Sequence, residues 1–131
     1  MRSVLVLLSF LLAACGGSDA DSVGVGAECS ASVPCPLYAF DGGSARLTCL
    51  TQFRGGYCGL QSCVSSMGCP RGSICVQHTD GLNYCFRTCD NKPECNRNRT
   101  PANESNCSSS FVWAVPSEDN GAKACIPPSS G

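Results

Sequence analysis

Apolar positions along this chain are concentrated in one run, Val4 to Leu12, interrupted only by Ser9 and the aromatic Phe10. The run covers about half of the ~20 helical residues that a hydrocarbon core requires. With the positive charge of Arg2 ahead of it and no comparable apolar segment later to pack on, it predicts a secretory leader, not a membrane span or core helix. After it, apolar residues come in strand-length bursts: "RLTCLTQF" (46–53), "SICVQH" (73–78) and "SFVWAV" (110–115). Each burst precedes a glycine turn and a short return that ends in cysteine: "RGGYC", "DGLNYC" and "NGAKAC". Strand, glycine turn and strand predict three β-hairpins, and Asp80-Gly81 and Asn120-Gly121 suit type I′ turns.

The cysteines follow the same period. Of 13 in the chain, Cys15 stands at the end of the leader and the other twelve fall into three groups of four. These are Cys29, Cys35, Cys49 and Cys58; Cys63, Cys69, Cys75 and Cys85; and Cys89, Cys95, Cys107 and Cys125. In every group five residues separate the first two cysteines: "SASVP", "VSSMG" and "DNKPE". One supersecondary unit is therefore used three times. Spacing alone permits three pairings within each closed group, and bridges across the boundaries at Cys58/Cys63 or Cys85/Cys89 are open as well.

Composition explains why so many bridges are needed. From Gly16 onward only 18 of 116 residues are Leu, Ile, Val or Phe, too few for an ordinary core. Covalent staples substitute for it, each contributing about 2–4 kcal/mol, largely by restricting the unfolded chain. Such bridges require an oxidising compartment, which excludes the cytosol. Net charge is −1, or −2 once Arg2 leaves with the leader, so nothing attracts nucleic acid or an anionic bilayer electrostatically.

Two stretches carry resemblances. Leu12-Ala13-Ala14-Cys15, set directly against the apolar run, resembles the lipobox of bacterial lipoproteins. That resemblance implies cleavage between Ala14 and Cys15, a diacylglycerol on the Cys15 thiol and acylation of the new amino group. Gly16, where aspartate often marks inner-membrane retention, implies the outer membrane. Ordinary leader cleavage is the alternative: Ala14 and Gly16 satisfy its small-residue rule, and a cut there discards Cys15. The second stretch, "CVSSMGCPRGSICVQHTDGLNYC" (63–85), resembles the first four cysteines of epidermal-growth-factor-like modules and the cysteine-rich units of Dickkopf-type proteins. Those families imply first-to-third and second-to-fourth pairing: Cys63–Cys75 and Cys69–Cys85, and by extension Cys29–Cys49, Cys35–Cys58, Cys89–Cys107 and Cys95–Cys125.

Residues suited to catalysis or metal binding are sparse. The chain has no C-x-x-C, the spacing expected of paired zinc ligands or a thioredoxin-like dithiol. His78, the single histidine, reads as a solvated hairpin side chain, and no serine sits in a nucleophile elbow. Glu118-Asp119 reads as a polar turn, and Lys92, Arg97 and Arg99 as part of a solvated loop. Asn98, Asn103 and Asn106 each begin an N-x-S/T sequon, a coincidence in a bacterial lipoprotein. Alternation puts Phe111, Trp113 and Val115 on one strand face, which either packs on the disulfides or offers an aromatic anchor to a partner.

The sequence thus predicts a small disulfide-rich fold of three tandem four-cysteine β-hairpin units with little or no helix. The organisation is a leader over 1–14, a lipidated flexible tether over 15–28, and units over 29–62, 63–88 and 89–131. The expected function is a non-enzymatic interaction or structural module, without metal or cofactor, held to a membrane through acyl chains on Cys15. Its partner would be a protein or cell-surface ligand. The competing class is an unanchored secreted ligand or inhibitor.

Overall fold

The computed structural model describes residues 19–131, so the leader and Cys15 lie outside the described residues. The fold is small, disulfide-rich and mostly β. Among the described residues it has two short α-helices, α1 (Asp19–Val23) and α2 (Lys92–Cys95), and a few single 3-10 turns.

The first unit begins with an exposed antiparallel pair, β1 (Leu37–Phe40) and β2 (Gly43–Arg46), which forms a separate two-stranded sheet. It continues with β3 (Thr48–Cys49) and β4 (Cys58–Gln61). The second unit is the hairpin of β5 (Ser73–Gln77) and β6 (Asn83–Cys89). The third contains β7 (Asn106–Ser108), β8 (Val112–Trp113) and β9 (Lys123–Ile126).

Strand β6 joins the three units. It pairs with β5 from Asn83 to Arg87, with β4 of the first unit at Tyr84 and Cys85, and with β9 of the third at Thr88 and Cys89. The short linkers between units leave little choice but this merged arrangement, because consecutive strands stay adjacent.

One rule of register recurs. The third and fourth cysteines of each unit face each other across antiparallel strands: Cys49↔Cys58, Cys75↔Cys85 and Cys107↔Cys125. Directly opposed residues project to the same face of a sheet. Each opposed cysteine bonds not to its neighbour but to one of the two cysteines that flank the unit's five-residue loop. The bridges are Cys29–Cys49, Cys35–Cys58, Cys63–Cys75, Cys69–Cys85, Cys89–Cys107 and Cys95–Cys125. None crosses between units.

The third hairpin departs from the sequence reading. "SFVWAV" does not pair with the return strand "KACI"; β7 does, because the opposed-cysteine register places Cys107 against Cys125. The long gap between those cysteines lets β8 leave the unit and add to the free edge of β5, with Val76↔Trp113 and Gln77↔Val112. The turns differ too. Type I′ needs positive φ at both central residues, yet Ser62 is the only non-glycine with positive φ among the described residues. In the second hairpin the Gly81 N–H donates to the His78 carbonyl, and Gly81 itself takes φ 82. This fits a type I turn followed by a left-handed glycine.

The interior is more substantial than the count of Leu, Ile, Val and Phe predicts, because tyrosines join the phenylalanines in an aromatic cluster. Phe53 and Tyr57 from the first unit meet Tyr84 and Phe86 from the second, all fully or almost fully buried. Phe53 packs edge-on to Tyr84 and Phe86 at 5.1 and 5.6 Å, and Tyr84 and Phe86 stack at 5.4 Å. Leu47, Leu50, Ile74, Val76 and Ala124 complete the cluster.

Candidate functional site

Three places merit attention: the point where the chain enters the fold, and two partly apolar surfaces. The entry point is the best built. Residues 15–28 read from sequence as tether, but from Asp19 onward the chain belongs to the domain. Ala20 and Val25 are buried, and the Gly26 N–H donates to the Cys58 carbonyl. The reason is a set of contacts from Arg87 and from Arg97 and Arg99, the last two of which read from sequence as part of a solvated loop.

Asp21, on α1, takes one guanidinium from each of two directions, with Arg87 Nη2 and Arg97 Nη1 each 2.8 Å from its Oδ2. Arg87 is only 3 % exposed; it also donates to the Glu94 carbonyl from its side chain and to the Tyr57 hydroxyl from its backbone N–H. A buried pair of this kind is costly to break from one side, since the remaining charge loses its partner.

Arg99 overturns the solvated-loop expectation most clearly, at 8 % exposure. Its guanidinium donates to the carbonyls of Gly26, Gly56 and Arg54 at 3.1, 2.9 and 2.7 Å, while Nε reaches the Asn103 carbonyl at 2.7 Å. The cation lies 5.7 Å from the centre of the Tyr57 ring. A planar fork of donors matches this converging group of carbonyls, as the single ammonium of lysine would not. Beside it, Glu28 accepts from the backbone N–H, at 2.5 Å, and the hydroxyl of Thr100, and from the Asn103 amide. Burial pushes the Glu28 carboxyl up, but these hydrogen bonds and the Arg99 charge outweigh it and hold it below its ordinary value. Burial pushes the Tyr57 hydroxyl up to about 12 against the smaller opposing effects of Arg87 and Arg99. Arg97 pairs with Asp21 and Lys92 with Glu104, both from half-exposed positions, so of the basic residues in this loop Arg99 alone is buried. No local sequence pattern announces this, because the partners are backbone carbonyls far along the chain.

His78 is likewise not the solvated side chain expected. Its ring packs edge-on to Phe53 at 5.3 Å and Phe86 at 5.9 Å. Glu118 of the predicted polar turn accepts the Ser66 N–H at 2.9 Å, and Asp119 accepts the Gly121 N–H. Asn103, which begins one of the sequons, has its side chain engaged by Glu28.

The first apolar surface holds the predicted pair Phe111 and Trp113. Both are half-buried, pack against the main core and meet edge-on at 5.7 Å. Val112, between them, points outward at 61 % exposure. The second surface was missed. Tyr38, Ala39, Phe40 and Ala45 of the β1–β2 pair face Met67, Pro70 and Arg71 across an open groove of about 720 Å³. Phe40 is 50 % exposed and Met67 94 %. Asp41-Gly42 directly after the apolar stretch Leu37–Phe40 was the signal that could have revealed this hairpin.

In each unit three sulfurs lie within 4.8 Å of one another, for example those of Cys63, Cys69 and Cys85. As disulfides they are not the thiolates that metals require; the arrangement is the consequence of opposed cysteines meeting one loop. No helix of the described residues is long and apolar enough to cross a membrane. No family model, curated protein or solved structure matches the chain.

Proposed function

We propose that this chain is an exported lipoprotein, anchored through acyl chains on Cys15, that presents a rigid disulfide-stapled module to a protein or cell-surface ligand. The observation that carries the reading is the position of Cys15. The other twelve cysteines are consumed by six internal bridges, and the one remaining follows Leu12-Ala13-Ala14 at the end of the apolar run. Two or more acyl chains on one residue hold a protein stably, at about 0.8 kcal/mol per buried CH₂. Gly16 after the lipidated cysteine favours the outer membrane.

The role is one of binding or support, not catalysis. The only histidine packs its half-buried ring against Phe53, and the buried arginines are engaged by carbonyls and Asp21. Expression in a Gram-negative host tests the reading. The wild-type chain should sediment with membranes and leave them only in detergent, while Cys15→Ser should be soluble. A wild-type chain that is itself soluble, with an unmodified start downstream of Cys15, would establish the unanchored secreted ligand or inhibitor instead. Ala14 and Gly16, which satisfy ordinary leader cleavage, are the feature favouring that second reading.

A further inference from the structure

From the place where the chain enters the fold we propose that the groove between the β1–β2 pair and Met67 docks on the bilayer surface. This inference rests on the lipid-anchor reading and specifies how the anchored domain sits.

Chain length is the first observation. The described residues start in α1 at Asp19, so only residues 16–18 lie between Cys15 and the first described residue. Five steps of extended chain from Cys15 to Ala20 reach at most about 17 Å. Ala20 is held in place, buried and backed by the Asp21 contacts to Arg87 and Arg97. The domain is therefore tied close to the membrane.

Position is the second. Ala20 lies directly on Gly72: a Cβ built on Gly72 would fall 2.8 Å from the Ala20 nitrogen and 3.0 Å from its Cβ. Gly72 follows Pro70 and Arg71, which line the groove with Phe40 and Met67. The anchor thus enters beside the groove. The end of the molecule drawn to the bilayer carries a methionine that is 94 % exposed and a half-exposed phenylalanine. Large apolar side chains held at a lipid interface enter the boundary between headgroups and acyl chains, as they do in interfacial anchors. Val112 provides the contrast. It is equally apolar and 61 % exposed, but it sits on β8 opposite Gln77, at the far end of β5 from Gly72.

The test uses the mature acylated chain in vesicles of phosphatidylethanolamine and phosphatidylglycerol whose acyl chains carry bromine as a fluorescence quencher. Met67→Trp and Val112→Trp are compared, with the native Trp113 as constant background; both positions are exposed, so neither change disturbs packing. The tryptophan at 67 should lose most of its emission and the one at 112 should keep it. Equal emission from both, in samples whose intact mass shows an acylated Cys15, would overturn the docking surface and leave the anchor standing. A mass without acyl chains would remove the anchor reading and this one with it. Dimerisation of the unacylated chain, abolished by Met67→Asp, would make a second copy the occupant and overturn the proposal as well.

Discussion

Two hairpins in this molecule use the same local device, a glycine-containing turn between short strands, and end in opposite situations. The β5–β6 hairpin carries Cys75 opposite Cys85, buries Val76, Tyr84 and Phe86, and lends the edges of β6 to both neighbouring units. The β1–β2 hairpin lies wholly within the Cys35–Cys49 interval, carries no cysteine and buries no side chain. Turn chemistry nucleates both, but position relative to the opposed cysteines decides which becomes scaffold and which becomes surface. An isolated two-stranded hairpin is at best marginally stable in water. The first unit can carry one because the flanking bridges fix its two ends.

The comparison can be broken most directly with matched phenylalanines. Phe86→Ala should cost about 3–5 kcal/mol, the usual loss for a buried aromatic. Phe40→Ala on the exposed hairpin should stay within about 0.5 kcal/mol. Urea unfolding of the oxidised proteins measures both, and similar losses would mean that the finger is part of the core. A smaller effect, about 2–4 kcal/mol, is expected for Arg99→Met, which leaves the carbonyls of Gly26, Gly56 and Arg54 without their buried donor. The loss should appear in the same unfolding curve, and Arg99→Lys should recover only part of it.

The smallest effect concerns pH. Because the folded state holds Glu28 below its ordinary 4.5, it binds fewer protons than the unfolded state in that range. Its contribution is fully present above pH 4.5 and is lost as pH falls through the depressed value. Stability followed from pH 6 to 3 should decline less steeply in Glu28→Gln than in wild type. An unchanged slope would place the acid sensitivity elsewhere, at Glu118, held low by its hydrogen bonds from Ser66, or at Asp80 of the β5–β6 turn. There burial pushes the carboxyl up, but the Tyr84 hydroxyl and Leu82 N–H outweigh it.

What the sequence revealed follows from the range of the interactions involved. The fold class and the glycine turns were legible because cysteine spacing and turn residues are local signals. The partner of β9 was not, since "SFVWAV" has the better strand pattern and only the register of Cys107 against Cys125 selects "NCS". Arg99 read as solvated because charge in a polar loop usually is; its carbonyl partners come from Gly26, Arg54 and Gly56, distant in the chain. His78 is similar, since the ring it meets most closely, Phe53, belongs to the preceding unit. At the entry point the polar composition of residues 16–22 suggested a tether, while Asp21 turns out to be the residue that fastens α1 to the domain.

Twelve cysteines build the module, and the central proposal is that the thirteenth anchors it. Intact mass of the mature protein, taken from membranes without reduction, tests both halves at once. The account predicts a chain beginning at Cys15 that carries its acyl chains, is lighter by two hydrogens for each of six bridges, and gains nothing on treatment with a thiol alkylator. An unmodified chain beginning downstream of Cys15, or one that takes up alkylator at several cysteines, would contradict it.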